Sequence, residues 1–293
     1  MIIYSNIQRE QPQLNSAMNR IHREYRKAEP TSRNRRGLII ETNEEGLIAL
    51  KPDFVELFRR LNFLPEYYLQ TRHAYATLIA RRRQIELRCI ESTNIIADCE
   101  KSLQLDRTSN HRMYARVARC ECCESPGRIE VRNKRNLEVL QICCSPLVRA
   151  LDWGKIIAAS SLEEAECHVG IDRESYPLIP KLAKKVASDP SQITKFFELL
   201  RERSIAFVAT LKTDGIIHSE RILAKKINCS GGVLIIEGFA KTLRLNLAAA
   251  LSLFSVDADG FTTIYVAGDQ NVLLLSIKTL SATKSDELFA NLD

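Results

Sequence analysis

No window of this 293-residue chain approaches twenty consecutive apolar residues, so the sequence predicts no membrane span. The opening stretch, Met1-Ile-Ile-Tyr-Ser-Asn-Ile-Gln-Arg9, has no leading basic cluster, and its apolar run is too short for a secretion signal. Nine cysteines, an odd number in a long chain without an export signal, point to reduced thiols in a cytosol. The sequence also lacks a GxxxxGK[ST] phosphate loop, an HExxH metal helix and a GxSxG nucleophile turn, which removes three common routes to catalysis. Histidine is scarce. His22, His73, His111 and His218 each stand alone, and a structural or solvated role is expected for each.

Most of the chain also lacks a surplus of positive charge. The net charge is +6, but residues 1–40 hold eight Arg or Lys against three Glu. The remainder is therefore nearly neutral, unlike a fold that grips nucleic acid across a broad basic face. The arm Arg33-Asn-Arg-Arg36 offers unspecific phosphate contacts, and a solvated loop is the simpler reading of it.

At this length and with 45% hydrophobic residues, the chain can bury a sizeable core. Pro12 opens a first predicted helix, with Leu14, Met18, Ile21 and Tyr25 on one face. Pro52 opens a second over Asp53–Asn62, with Phe54, Leu57, Phe58 and Leu61 inward. Strand-like patterns follow at Tyr67–Leu69 and Tyr75–Ile79.

Self-comparison shows repetition. Glu100-Lys-Ser-Leu-Gln-Leu-Asp106 matches Ala240-Lys-Thr-Leu-Arg-Leu-Asn246, and Ile129–Ile142 matches Ile264–Ile277. The latter pair read as hairpins around Asn133–Asn136 and Gly268–Asn271. The helix Phe54–Leu61 has a counterpart in Ile193–Leu200. The expected fold is α+β: a tandem duplication of one module whose helices pack on a large antiparallel β-sheet. The expected divisions are a basic helix and arm (1–40), a first repeat (41–150), a helical connector (151–190) and a second repeat (191–293). Within the connector, Leu151–Ile157 and Ile179–Val186 read as helices. Two such sheets would pack about a cleft, a common place for a ligand.

Cys120, Cys122, Cys123, Cys143 and Cys144 form two groups. A turn at Glu124–Gly127 would put Cys143 roughly 40 Å from the first group at ~3.3 Å per residue. Packed thiols are then favoured over tetrahedral zinc.

Asp53-Phe-Val-Glu-Leu-Phe58, Leu64-Pro-Glu-Tyr67 and Thr71-Arg-His73 in the first copy carry a family resemblance. So do Ser204-Ile-Ala-Phe-Val208 with Gly215, Leu243–Leu247, Asp257–Gly260 and Thr262–Asp269 in the second. Over residues 47–285 the chain resembles the bacterial cytoplasmic haem-utilisation proteins, the haemin-transport or haem-degrading factors of HemS type. That resemblance implies cytoplasmic haem binding, trafficking or degradation, with haem as cofactor.

The family places an axial His on a helix opening the second half. Here that place reads Lys195-Phe196-Phe197, and His168, in Glu164-Ala-Glu-Cys-His-Val-Gly170, is the nearby imidazole. The family's facing Arg corresponds to Asp106, with Arg107 one residue on, and its His-Ala-Gly stretch corresponds to Ser92-Thr-Asn94. The implied iron ligand is His168. Arg72 and Arg107 are the implied propionate partners, set against a role in solvating a face. Two alternatives stay open: a scaffold or sensor that kept the fold and lost haem, and a nucleic-acid-associated protein using the basic arm.

Overall fold

The computed structural model describes residues 47–290 apart from 74, 91–92, 110, 117–124, 126, 147, 149, 161–176, 188 and 281–287. The predicted helix after Pro12, the basic arm, His168 and Cys120, Cys122 and Cys123 lie outside the described residues.

Strand β1 (Leu47–Leu50) leads into helix α1 (Phe54–Leu61). Then come β2 (Tyr67–His73), β3 (Ala76–Arg82), β4 (Leu87–Cys89), β5 (Ile95–Asp98), β6 (Leu103–Asp106), β7 (Arg112–Arg116), β8 (Arg128–Arg132) and β9 (Glu138–Cys144). Helix α2 (Ala150–Ser160) follows, and the order then recurs. Strand β10 (Lys184–Ala187) precedes helix α3 (Pro190–Glu202), and β11 (Phe207–Thr213), β12 (Ile216–Ile222), β13 (Lys226–Ser230), β14 (Val233–Glu237) and β15 (Lys241–Asn246) come next. Strands β16 (Ser252–Ala258), β17 (Phe261–Ala267) and β18 (Leu273–Thr279) complete the run.

Local chemistry explains both repeat helices. Asp53 caps α1 by accepting a hydrogen bond from the Glu56 backbone N–H at 3.0 Å. Asp189 caps α3 through the Ser191 N–H at 2.7 Å, with Pro190 in the first turn. Each helix buries one stripe: Phe54, Leu57, Phe58 and Leu61 on α1, and Ile193, Phe196, Phe197 and Leu200 on α3.

The strands form two nine-stranded antiparallel sheets. One runs β1-β7-β8-β9-β2-β3-β15-β14-β13, the other β10-β16-β17-β18-β11-β12-β6-β5-β4. Exchanging the two halves of the chain converts one order into the other. Each half therefore gives six strands to one sheet and three to its neighbour. The joins are β3 with β15, where Leu78 faces Leu243, and β12 with β6, where Ile216 faces Leu105. The exchanged strands also cover the helices: α1 packs against β4, and α3 against β13.

The sheets meet where β2 and β3 cross β11 and β12. A buried polar group fastens this crossing. The Thr71 hydroxyl lies 2.9 Å from His218 Nδ1, and His218 Nε2 lies 2.9 Å from Glu220 Oε1. The imidazole thus bridges Thr71 of one sheet and Glu220 of the other. Glu220 also receives Lys241 Nζ at 2.7 Å and the Arg82 guanidinium.

Two local expectations are overturned. Ile179–Val186 is not a helix: Lys184–Ala187 pair with β16, and Pro180 sits in a turn closed by the Ala183 N–H. The open edge of β16 satisfies this backbone, which outweighs a weak helical pattern. Nor does β8 pair as a turn at Glu124–Gly127 would require. Such a turn would set Cys123 opposite residue 128, but Arg128 pairs with Arg116. Because β9 doubles back along β8, Cys143 pairs with Arg128, and Cys144 Sγ lies 3.1 Å from Ser125 Oγ.

Candidate functional site

A cavity of about 810 Å³ opens between the sheets, beside the crossing. From one sheet come the end of β2 and the β8–β9 turn with the start of β9. From the other come β5, β6 and the β11–β12 turn. The volume falls in the range of small-molecule and cofactor sites.

Its lining divides by chemistry. Ile95, Leu105, Leu137, Val139, Ile216 and Ile217 provide apolar surface, while Arg72, Lys134, Arg135 and Lys212 supply positive charge. Asp106, Glu138 and Asp214 partly balance these cations.

Two turns shape the rim. Asn133 Oδ1 accepts from the backbone N–H groups of Arg135 and Leu137, each at 3.0 Å, and so folds the turn that carries Lys134 and Arg135. Opposite it, Gly215 has φ +69°, and a Cβ there would come within 2.0 Å of Ser109 Oγ. His111 Nε2 meets the Asp214 carbonyl at 2.8 Å and fixes the same turn from beneath.

Burial shifts two ionisable groups in the lining. It lowers His73 to about 4, so the imidazole is neutral at neutral pH. It raises the Glu138 carboxyl against the opposing pull of Arg72, whose Nη1 lies 3.1 Å from Glu138 Oε1. Asp106 goes the other way: the Thr108 hydroxyl and backbone N–H bind its carboxylate and lower its pKa.

The sequence-derived residues divide. Arg72 lines the cavity. Arg107 does not: it lies in a short 3-10 turn with Nη1 4.0 Å from Cys89 Sγ, while Asp106 lines the cavity instead. His168 is outside the described residues. Lys134, Arg135, Lys212, His73 and Glu138 were not singled out as site residues from the sequence. Their signal was indirect, since both turns that carry the rim cations were legible as turns. Among the described residues no three His, Cys, Asp or Glu side chains cluster as a metal site.

No protein-family model matches the sequence, and no curated protein is significantly similar to it. Solved structures are similar. A holo form of PhuS, a haem-binding protein from Pseudomonas aeruginosa, superposes with a TM-score of 0.70 at 11% identity, over 84% of this chain and 86% of that one. Its apo form gives 0.68 at 12% identity, over 84% and 86% of the two chains. ChuS, an E. coli haem oxygenase, gives 0.67 at 9% identity, over 85% of this chain and 88% of its own. The chain therefore has the HemS-type fold. Identity this low establishes shared architecture, and function has to be argued from the site.

Proposed function

We propose that this chain binds haem in the cavity between its sheets and serves haem trafficking or degradation in the cytoplasm. The observation that carries the reading is the cavity's make-up: apolar walls for a flat macrocycle beneath a rim of four cations for its carboxylates. It occupies a fold shared with a haem-binding protein and a haem oxygenase. Among the described residues no helix is long and apolar enough to cross a membrane, which accords with a protein working away from the bilayer.

Haem, when bound, supplies the iron and the redox chemistry. The chain's own residues do the rest. Ile216, Ile217, Leu105 and Val139 keep water from the ring. Arg72, half-exposed and already beside Glu138, offers remaining donors to a propionate, and Lys212 adds charge from the opposite wall. His168 is the imidazole that the family resemblance implies for iron.

Titration of the purified chain with haemin tests this. A saturable one-to-one Soret change is expected, with weaker binding in Arg72→Ala. Absence of saturation would refute the reading. A specific observation favours a second reading, a scaffold that lost haem. Lys195, exposed on α3, stands where the family's ligand belongs, and Asp106 stands in place of its arginine. The same titration separates the two.

A further inference from the structure

We propose that Glu138 competes with the ligand's carboxylate for Arg72, so that the rim takes up haem by exchanging one carboxylate for another; this deepens the haem reading and rests on it.

A break in the strand register sets the competitor in place. Between β8 and β9, Val131 pairs with Leu140 but Arg132 pairs with Glu138. Val139 is thus the extra residue of a bulge, a device by which a strand re-aims a side chain. In an unbroken ladder Val139 would stand opposite Arg132. With the bulge, Glu138 meets Arg72 of β2, the strand on the other side of β9. Both residues line the cavity.

Arg72 is divided between two acceptors. Gln70, with its amide oxygen assigned toward the guanidinium, accepts from Nε and Nη2. Glu138 Oε1 lies 3.1 Å from Nη1, yet its angle leaves that oxygen without a hydrogen bond. A carboxylate aligned with two guanidinium donors makes a stronger pair than this. The Nη1 end of Arg72 is where a propionate would align, and Glu138 already stands there. The Arg72 side chain is 41% exposed and that of Glu138 15%, so a ligand reaches the cation first.

The displaced carboxylate is not left as a bare buried charge. Burial raises its pKa and Glu130 adds to this, while Arg72, Arg128 and Arg132 pull the other way. Glu130 in turn holds Arg116, Arg128 and Arg132. When Arg72 turns to a ligand, Glu138 loses an opposing cation and takes a proton from solvent.

The experiment titrates the full chain with haemin and with haemin dimethyl ester, which keeps the iron and ring but has no free carboxylate. Glu138→Gln keeps the side chain's shape and removes its charge. At neutral pH it should bind haemin about three- to fivefold more tightly than wild type, the scale of a partly exposed ion pair. Wild type and variant should bind the ester alike, which also reports that the variant's cavity is folded. With Arg72 changed to alanine, Glu138→Gln should alter haemin affinity by less than about twofold. Plain repulsion between Glu138 and a propionate would persist in that background. The advantage of Glu138→Gln should also shrink as pH falls and the wild-type carboxyl takes its proton. Equal haemin affinity in wild type and Glu138→Gln at neutral pH would overturn the proposal. So would a gain that survives without Arg72 or extends to the ester. Failure of wild type to bind haemin saturably would instead remove the haem reading itself, and this proposal with it.

Discussion

Glu220 is 1% exposed and lies beneath Arg82, Lys241 and His218, each on a different strand. Burial pushes its carboxyl up, but the His218 hydrogen bond and the neighbouring cations outweigh this and hold it at about 2. Removing the carboxylate strands the cations, so Glu220→Ala should destabilise the protein by about 3–5 kcal/mol in denaturant unfolding. Two acid-sensitive windows follow. The Glu220 contribution is complete above the ordinary carboxylate range near 4.5 and is lost as pH falls toward 2. His73 has a folded pKa of about 4 against 6.5 unfolded, so the unfolded chain binds the proton first. Stability should therefore fall as pH drops from about 6.5 to 4, by an amount of order 3 kcal/mol. Unfolding of the ligand-free protein at stepped pH should show this upper slope, and His73→Met should flatten it while leaving the lower one. Neither residue was recognisable in the sequence. A lone His beside Arg72 and a Glu in a strand acquire their surroundings only through the fold, which brings Arg82 to Glu220 across 138 residues.

At the scale of elements, Gly215 closes the β11–β12 hairpin against Ser109 and His111, which precede β7 in the chain. Gly215→Ala combines a left-handed φ with a collision. It should cost about 1–3 kcal/mol and weaken haemin binding, because Lys212 and Asp214 ride on the same turn. Thermal unfolding and haemin titration of one variant check both parts. The helices were readable because their signals are local: an Asp cap, a proline at the start of the first turn or just before it, and an apolar stripe. The hairpins around Asn133–Asn136 and Gly268–Asn271 were readable for the same reason. The misread elements depend on distant partners. Lys184–Ala187 becomes a strand because β16 offers an edge, and the partner of Arg128 is set by where β7 pairs with β8. Turn residues such as Pro126-Gly127 say that the chain bends, not how far apart the paired residues lie.

For the whole molecule, self-comparison identifies which segments are alike and is silent about which of them pair. Similarity between Glu100–Asp106 and Ala240–Asn246 is now explained by equivalent places, β6 and β15, in opposite sheets. A cleft between two sheets was expected, but its lining was illegible for the same reason, since its walls come from β2, β6, β9 and the β11–β12 turn. An isolated first half would leave β3 without β15 and α1 covered by strands that lack their sheet. Residues 41–150 alone should therefore show no cooperative unfolding by circular dichroism, whereas co-expression with residues 177–293 should restore it. The exchange also has a consequence during synthesis. Roughly 160 residues separate Arg82 at the end of β3 from Lys241, which opens its partner β15. At ~5–20 residues per second, the ribosome takes of order 10–30 s to deliver that partner. Throughout this interval a nascent chain displays a raw strand edge and a detached three-strand flap, the kind of surface that chaperones hold and that neighbouring polysomal chains can capture.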